Sequence, residues 1–404
     1  MTSKSAFLLS SVVAAWLASA GCNENLQPDP ASYAGHGPWA VGYRQLEAPG
    51  ALKVKSWYPA LNPSATKEEI TYQIALKYVE WQAISPAFVH GHAIADAPLD
   101  SAKGPYPLVI FSHGYAISPE WYSVLVEHYA SRGFIVLAPE HAENDWFRAM
   151  DAAFDRPDDV KRTLDFAEAL AAPGGALTGQ IDLTNVAVVG HSFGGYTALV
   201  AAGARFDLGP FKARCAALAV DDPKSFLCAP FVGREKDMAA RAGLASVPDG
   251  LWPTTMGDPR VTAIVSMAGD AFLLNESGLA SITIPMMVLG GTDDVGTPWD
   301  WGAKPSYDHA SSRRKSLVAF EGADHMIAAN PCETMPFTAQ LPDPEREIIC
   351  SDAPGWTRTR ALTLIRHLST AFLLETLKGD RGAHDALLPG AVNEVGLGYT
   401  TTLR

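Results

Sequence analysis

The sequence predicts an α/β architecture, a mostly parallel central sheet with helices on both faces. Three observations predict it. From about residue 36, stretches of strand length and stretches of helical spacing alternate. Several strand-length runs are apolar throughout, as strands covered on both faces must be. Glycines and prolines punctuate the run-to-helix junctions.

Taken in order, "WAVGYRQLEA" and "ALKVKSWYPA" alternate like half-buried antiparallel strands. "YPLVIFSHG" is a continuous apolar run ending in Gly, a buried parallel strand. "SPEWYSVLVEHYASRG" has an N-terminal Ser, helical spacing and a C-terminal Gly. "FIVLAPEH" is the next strand. "RPDDVKRTLDFAEALAAPGG" reads as a helix with Pro157 and acidic residues in its first turn. "NVAVVGHS" is a strand and "FGGYTALVAAGA" a helix. "RVTAIVSMAG", "IPMMVLGG" and "KSLVAFEGADH" are three more strands, and "TRTRALTLIRHLSTAFLLETLKG" is the last long helix. Residues 64–104 are long for a loop, and residues 204–259 interrupt the rhythm as a lid-like insert. One α/β domain is expected over 36–380, with 381–404 as a tail.

The N-terminus reads as an address rather than as fold. Lys4 precedes "AFLLSSVVAAWLASAGC", an apolar stretch with a small-residue end, which resembles a secretory signal over residues 1–21. Its end reads two ways. Ala18-Ser19-Ala20 offers a cleavage site before Gly21, and Ala20-Gly21-Cys22 offers a lipid attachment at Cys22. Export places the other four cysteines in an oxidising compartment, where Cys215 with Cys228 and Cys332 with Cys350 would close two short loops. Two other pairings remain open on spacing alone. The spacing does not suit zinc. The formal charge of −13 argues against nucleic acid, which needs clustered Lys and Arg.

The chemistry gathers at Gly190-His191-Ser192-Phe193-Gly194, a G-x-S-x-G between a strand and a helix. A solvated serine on a Gly-rich turn is the bland alternative. The strand–turn–helix context favours a nucleophile presented at the carboxyl end of the sheet. A serine hydroxyl needs a base, and the base an orienting acid, in the chain order Ser, Asp or Glu, His. His309, His325, His367 and His384 follow Ser192. His325 comes just after the last strand, whereas His367 sits in an apolar helix, His309 in a polar stretch and His384 in the tail. Three acids compete in the order Asp294, Asp270, Asp293. Pro298 after Asp294 suggests a turn aiming that carboxylate inward, and Asp270 holds the equivalent place after the preceding strand. The oxyanion donors are expected at the Phe193 and Tyr115 N–H groups, with His113 bracing the Tyr115 loop.

These motifs resemble the α/β-hydrolase superfamily. More narrowly, "YPLVIFSHGYAISPEWYSVLVEHYASRGFIVLAPEH", "RPDDVKRTLDFAEAL" and "VAVVGHSFGGYTA" are similar to plasma-type platelet-activating-factor acetylhydrolases and bacterial dienelactone-hydrolase-like esterases. The resemblance covers roughly residues 90–330. It implies Ser192 as nucleophile, His325 as base, and Tyr115 and Phe193 as oxyanion donors. The acetylhydrolase pattern implies Asp270 as the acid, and the bacterial G-x-x-D-x-x-x-P pattern implies Asp294. Serine stands where true dienelactone hydrolases carry cysteine, so that activity is not expected.

The expectation is an exported serine esterase without cofactor or metal, acting on short-to-medium acyl esters of small-molecule or lipid origin. Membrane contact is expected only through a lipid on Cys22. A catalytically silent binding domain, or an amidase or peptidase with the same three residues, are the rivals.

Overall fold

The computed structural model describes residues 32–404. The expected signal segment and Cys22 lie outside the described residues.

Strands β1 (Ala40–Ala48) and β2 (Leu52–Ala60) pair antiparallel across a turn with positive φ at Gly50 and Ala51. Strands β3 (Ile70–Ile74) and β4 (Ala87–Gly91) form a separate antiparallel hairpin within the long 64–104 connection. Short β5 (Ile94–Ala95) runs parallel to β1. Then come β6 (Tyr106–Ser112), β7 (Ile135–Pro139), β8 (Ile181–His191), β9 (Ala263–Met267), β10 (Met286–Gly291), β11 (Lys315–Phe320) and β12 (Leu397–Thr401). The main sheet has ten strands in the order β12-β11-β10-β9-β8-β6-β7-β2-β1-β5. Every pairing from β7 through β11 is parallel, whereas β2 joins β7 and β12 joins β11 antiparallel.

The apolar runs are continuous because both faces are covered. Val109, Phe111, Val189, Val265 and Leu289 point to one face, under helices Ser123–Ser131 and Arg358–Lys378. Leu108, Ile110, Val188, Ile264 and Val288 point to the other, under helices Ala149–Ala171 and Phe193–Ala201. Strand period two thus yields two cores from one sheet. Helix Arg358–Lys378 starts where the Thr357 side chain accepts from Arg360 N–H and stops at Gly379, φ 66°.

Three elements depart from expectation. The stretch after β6 is divided, with a 3₁₀ turn at Pro119–Tyr122 before helix Ser123–Ser131. The helix expected to begin near Pro157 begins at Ala149, so the proline lies inside it. A proline lacks the N–H that would bond the carbonyl four residues back. That carbonyl, on Ala153, instead accepts the buried Tyr196 hydroxyl at 2.9 Å. The missing backbone bond is replaced by a tertiary one, which sequence periodicity does not reveal. Finally, Leu397–Thr401 is an edge strand of the main sheet, inside the stretch expected as a tail.

The insert folds as helices Leu208–Ala217, Ser225–Cys228 and Glu235–Arg241. Disulfides join Cys215 to Cys228 and Cys332 to Cys350, the two local loops. Among the described residues, no helix is long and apolar enough to cross a membrane.

Candidate active site

Ser192 stands between the end of β8 and the start of the following helix, with φ 59° and ψ −127°. Left-handed φ on a non-glycine residue costs about 1–3 kcal/mol and has to be held by its surroundings. The surroundings here are crowded. A Cβ on Gly190 would overlap the Gly194 carbonyl, one on Gly194 the Ser112 carbonyl, and one on Gly195 the Gly269 Cα. The glycines therefore let three backbone segments close around the turn, and Ser192 N–H donates to the Met267 carbonyl at 2.9 Å. The serine side chain is left half-buried, facing a cavity.

His325 opens a 3₁₀ turn five residues beyond β11, with the Asp324 side chain capping it. Its Nε2 lies 2.9 Å from Ser192 Oγ, and its Nδ1 lies 2.8 Å from Asp294 Oδ2. Asp294 follows β10 and is 5% exposed. Burial alone would push its carboxyl up. The His325 charge and hydrogen bonds from His325 and Thr297 outweigh burial and hold it below the usual carboxylate range. Burial would likewise pull the His325 imidazole down, but Asp294 raises it above 6.5.

Asp270 is also close, yet it makes no hydrogen bond to His325. It is 3% exposed, lines the same cavity, and its Oδ1 has no protein partner. Burial first, then the Asp294 charge, raises its carboxyl well above the ordinary value. Asp293 is exposed. The remaining histidines lie elsewhere. His367 is buried and accepts from Tyr33 N–H, His309 ends a helix beside Glu276, and His384 lies beside Glu375.

Of the expected oxyanion donors, Phe193 follows the serine in the chain and Tyr115 lines the same cavity. Neither the Phe193 N–H nor the Tyr115 N–H donates to any protein acceptor among the described residues. His113 lies behind the Tyr115 loop, fully buried, with Nδ1 at 2.7 Å from the Gly114 carbonyl and Nε2 accepting from His141 N–H. The cavity beyond measures about 450 Å³. Its walls include Tyr78, Trp81, Tyr115, Trp121, Trp146 and Phe226, the last from the insert.

Several contributors escaped sequence reasoning. Thr297 donates its N–H to Asp294 Oδ1, and its hydroxyl lies 2.8 Å from both Asp294 Oδ2 and the Ala268 carbonyl. Its place between Asp294 and Pro298 in "DDVGTP" is the only local signal. His191 Nε2 meets the His325 carbonyl at 2.8 Å, so that nitrogen carries the proton. Its Nδ1 then accepts from the Tyr122 hydroxyl, which in turn accepts from Gly114 N–H. Burial, then the neighbouring His325 charge, lowers the His191 imidazole to about 3, which keeps it neutral. One chain of bonds thus joins the Tyr115 loop to the His325 backbone.

A second Ser–His–Asp alignment lies behind this site. Ser112 Oγ is 2.9 Å from His141 Nε2, and His141 Nδ1 is 2.9 Å from Asp159 Oδ2. Ser112 is completely buried and does not line the cavity. Among the described residues, no group of three or more His, Cys, Asp or Glu is placed to hold a metal ion.

The chlorophyllase family profile matches residues 72–224, the part from β3 through the serine turn and into the insert. The chain is 34% identical over 107 residues to chlorophyllase-2 of Arabidopsis thaliana, 26% of this chain and 31% of that protein. It is 32% identical over 106 residues to the chloroplastic chlorophyllase-1 of Citrus sinensis, 24% of this chain and 29% of that protein. The chain thus spans less than a third of the length of these curated relatives. The family match includes Ser192 and Tyr115 and stops short of Asp270, Asp294 and His325. The sheet order and its covering helices are those of an α/β-hydrolase fold, and residues 72–224 are similar to the chlorophyllase family.

Proposed function

We propose that this chain hydrolyses carboxylic esters through an acyl-enzyme on Ser192. The observation that carries the reading is the continuous contact Ser192 Oγ–His325 Nε2–Asp294, opening on an apolar cavity. Ser192 attacks the acyl carbon while His325 takes its proton, and Asp294 holds the imidazole and offsets its charge. The Phe193 and Tyr115 N–H groups receive the oxyanion. His325 then protonates the leaving alcohol, and water repeats the sequence on the acyl-enzyme.

The aromatic walls suit an apolar acyl group of short to medium length or of lipid origin. The name of the relatives adds chlorophyll to the candidate esters. In this reading the chain is exported, as Lys4 with the following apolar stretch and the two disulfides favour, and Cys22 carries a lipid.

The test is turnover of p-nitrophenyl acetate, butyrate and octanoate and of chlorophyll by the purified protein. Turnover of at least one is expected, falling by ~10³-fold or more in Ser192→Ala. Equal turnover by the parent and by Ser192→Ala would exclude the acyl-enzyme, and no turnover of any of the four would favour a binding domain.

A further inference from the structure

We propose that Arg156 is the positioning residue of the oxyanion hole, turning the Tyr115 N–H toward Ser192 by gripping the backbone from the opposite side. The proposal rests on the ester-hydrolase reading and deepens it.

Arg156 lies within helix Ala149–Ala171, is fully buried, and does not line the cavity. Its Nη1 donates to the His113 carbonyl at 2.5 Å and its Nη2 to the Gly114 carbonyl at 3.0 Å. The Gly114 carbonyl is held a second time by His113 Nδ1. In a trans peptide the C=O and the next N–H point in opposite directions. A Gly114 carbonyl drawn toward Arg156 therefore aims the Tyr115 N–H away from it.

The neighbouring amides sharpen the point. Gly114 N–H donates to the Tyr122 hydroxyl, and Ala116 N–H donates to Glu143 Oε1. Tyr115 N–H, between them, has no protein acceptor among the described residues, although Gly114 and Tyr115 line the cavity beside Ser192. A loop with its flanking donors satisfied and one donor left free fits a group kept for a ligand oxygen. Ala116 adopts φ 53°, so the loop also needs an external hold.

The guanidinium also packs against the rings of both residues whose N–H groups are the proposed donors. Its Cζ lies 5.3 Å from the Phe193 ring centre and 5.8 Å from that of Tyr115. Glu143 pairs with Nη2 as well as accepting from Ala116 N–H. Burying such a pair brings no assured stability over apolar packing. What it does bring is a planar fork that fixes two carbonyls and a carboxylate at once. A lysine, with a single ammonium head on a flexible stem, does not reproduce that geometry.

The test compares the parent with Arg156→Lys and, as a milder loosening, Glu143→Gln. Thermal melts check folding. Steady-state kinetics on the best p-nitrophenyl ester give kcat and KM. Inhibition is measured with a trifluoromethyl ketone, whose adduct with Ser192 places an oxyanion in the hole, and with the matching methyl ketone, which binds without one. For Arg156→Lys, kcat is expected to fall ~10- to 100-fold, less than or comparable to outright loss of one donor, with KM within about twofold. Trifluoromethyl ketone affinity should fall in parallel and methyl ketone affinity should hold. Glu143→Gln should move the same quantities less. A folded Arg156→Lys with unchanged kcat, a change confined to KM, or equal weakening of both ketones would overturn the proposal. Should neither variant fold, a structure of the parent's trifluoromethyl ketone adduct decides it, since Tyr115 N–H must then donate to the oxyanion. A parent without esterase turnover sinks the underlying reading, whereas an active parent indifferent to Arg156→Lys sinks this proposal alone.

Discussion

Two carboxyl groups near His325 are pushed in opposite directions by what surrounds them. Asp294 receives hydrogen bonds from Thr297 and His325, which favour its charged form, whereas Asp270 has an unpartnered oxygen in a buried wall, which disfavours charge. Such divergence separates the roles of two acids that sequence position leaves equivalent. Asp294→Asn is therefore expected to lower kcat by ~10⁴-fold. Asp270→Asn, at a carboxyl that makes no hydrogen bond to His325, should lower it far less. The pH profile follows from the raised His325 value. The base form is lost as pH falls through that value, so the acid limb of kcat/KM should lie above pH 6.5 and move downward in Asp294→Asn. An acid limb that moves downward in Asp270→Asn instead would reverse the assignment. Ser192 and His325 were legible because each sits at a strand end marked by its own local sequence. Thr297, His191 and Arg156 were not, because each acts through a partner distant in the chain or through a turn whose geometry leaves little local trace.

At the scale of elements, the cavity depends on segments that are not part of the parallel sheet. Ile348 and Ile349 line it from helix Glu345–Cys350, which the Cys332–Cys350 disulfide ties down across 18 residues. Closing a loop of that size stabilises a fold by ~3 kcal/mol in the chain-entropy view. The double replacement Cys332→Ser with Cys350→Ser is expected to lower stability by that order in denaturant titration. It should also raise KM for octanoate more than for acetate if the longer chain packs on these isoleucines. A uniform KM change along the acyl series would show that the helix does not shape the site. Periodicity located the long helices but misplaced the start of Ala149–Ala171, because Pro157 ordinarily marks a first turn. The Tyr196 hydroxyl that makes an interior proline tolerable lies 43 residues beyond the Ala153 carbonyl it bonds, outside any local window.

For the whole molecule, the sheet between its two cores was visible in the runs of β6 through β11, each apolar on both faces. The edge was not, because "LGYTT" of β12 is half-exposed and carries no apolar run. Pairing of β12 covers the β11 edge from Ser316 to Phe320. Removal of residues 397–404 is expected to uncover that edge, lower the melting temperature and promote association, readable by light scattering. A truncated chain that stayed monomeric with an unchanged melt would show that β12 adds nothing. The same architecture brings the strand ends of β8, β10 and β11 together, so that Ser192, Asp294 and His325 meet. The alignment of Ser112 with His141 and Asp159 supplies an internal control, since it has similar contacts but no access. The most direct measurement is reaction with a fluorophosphonate probe followed by peptide mass mapping. One adduct per chain on Ser192 is expected, lost in Ser192→Ala and kept in Ser112→Ala. No adduct, or an adduct on any other residue, would contradict the account.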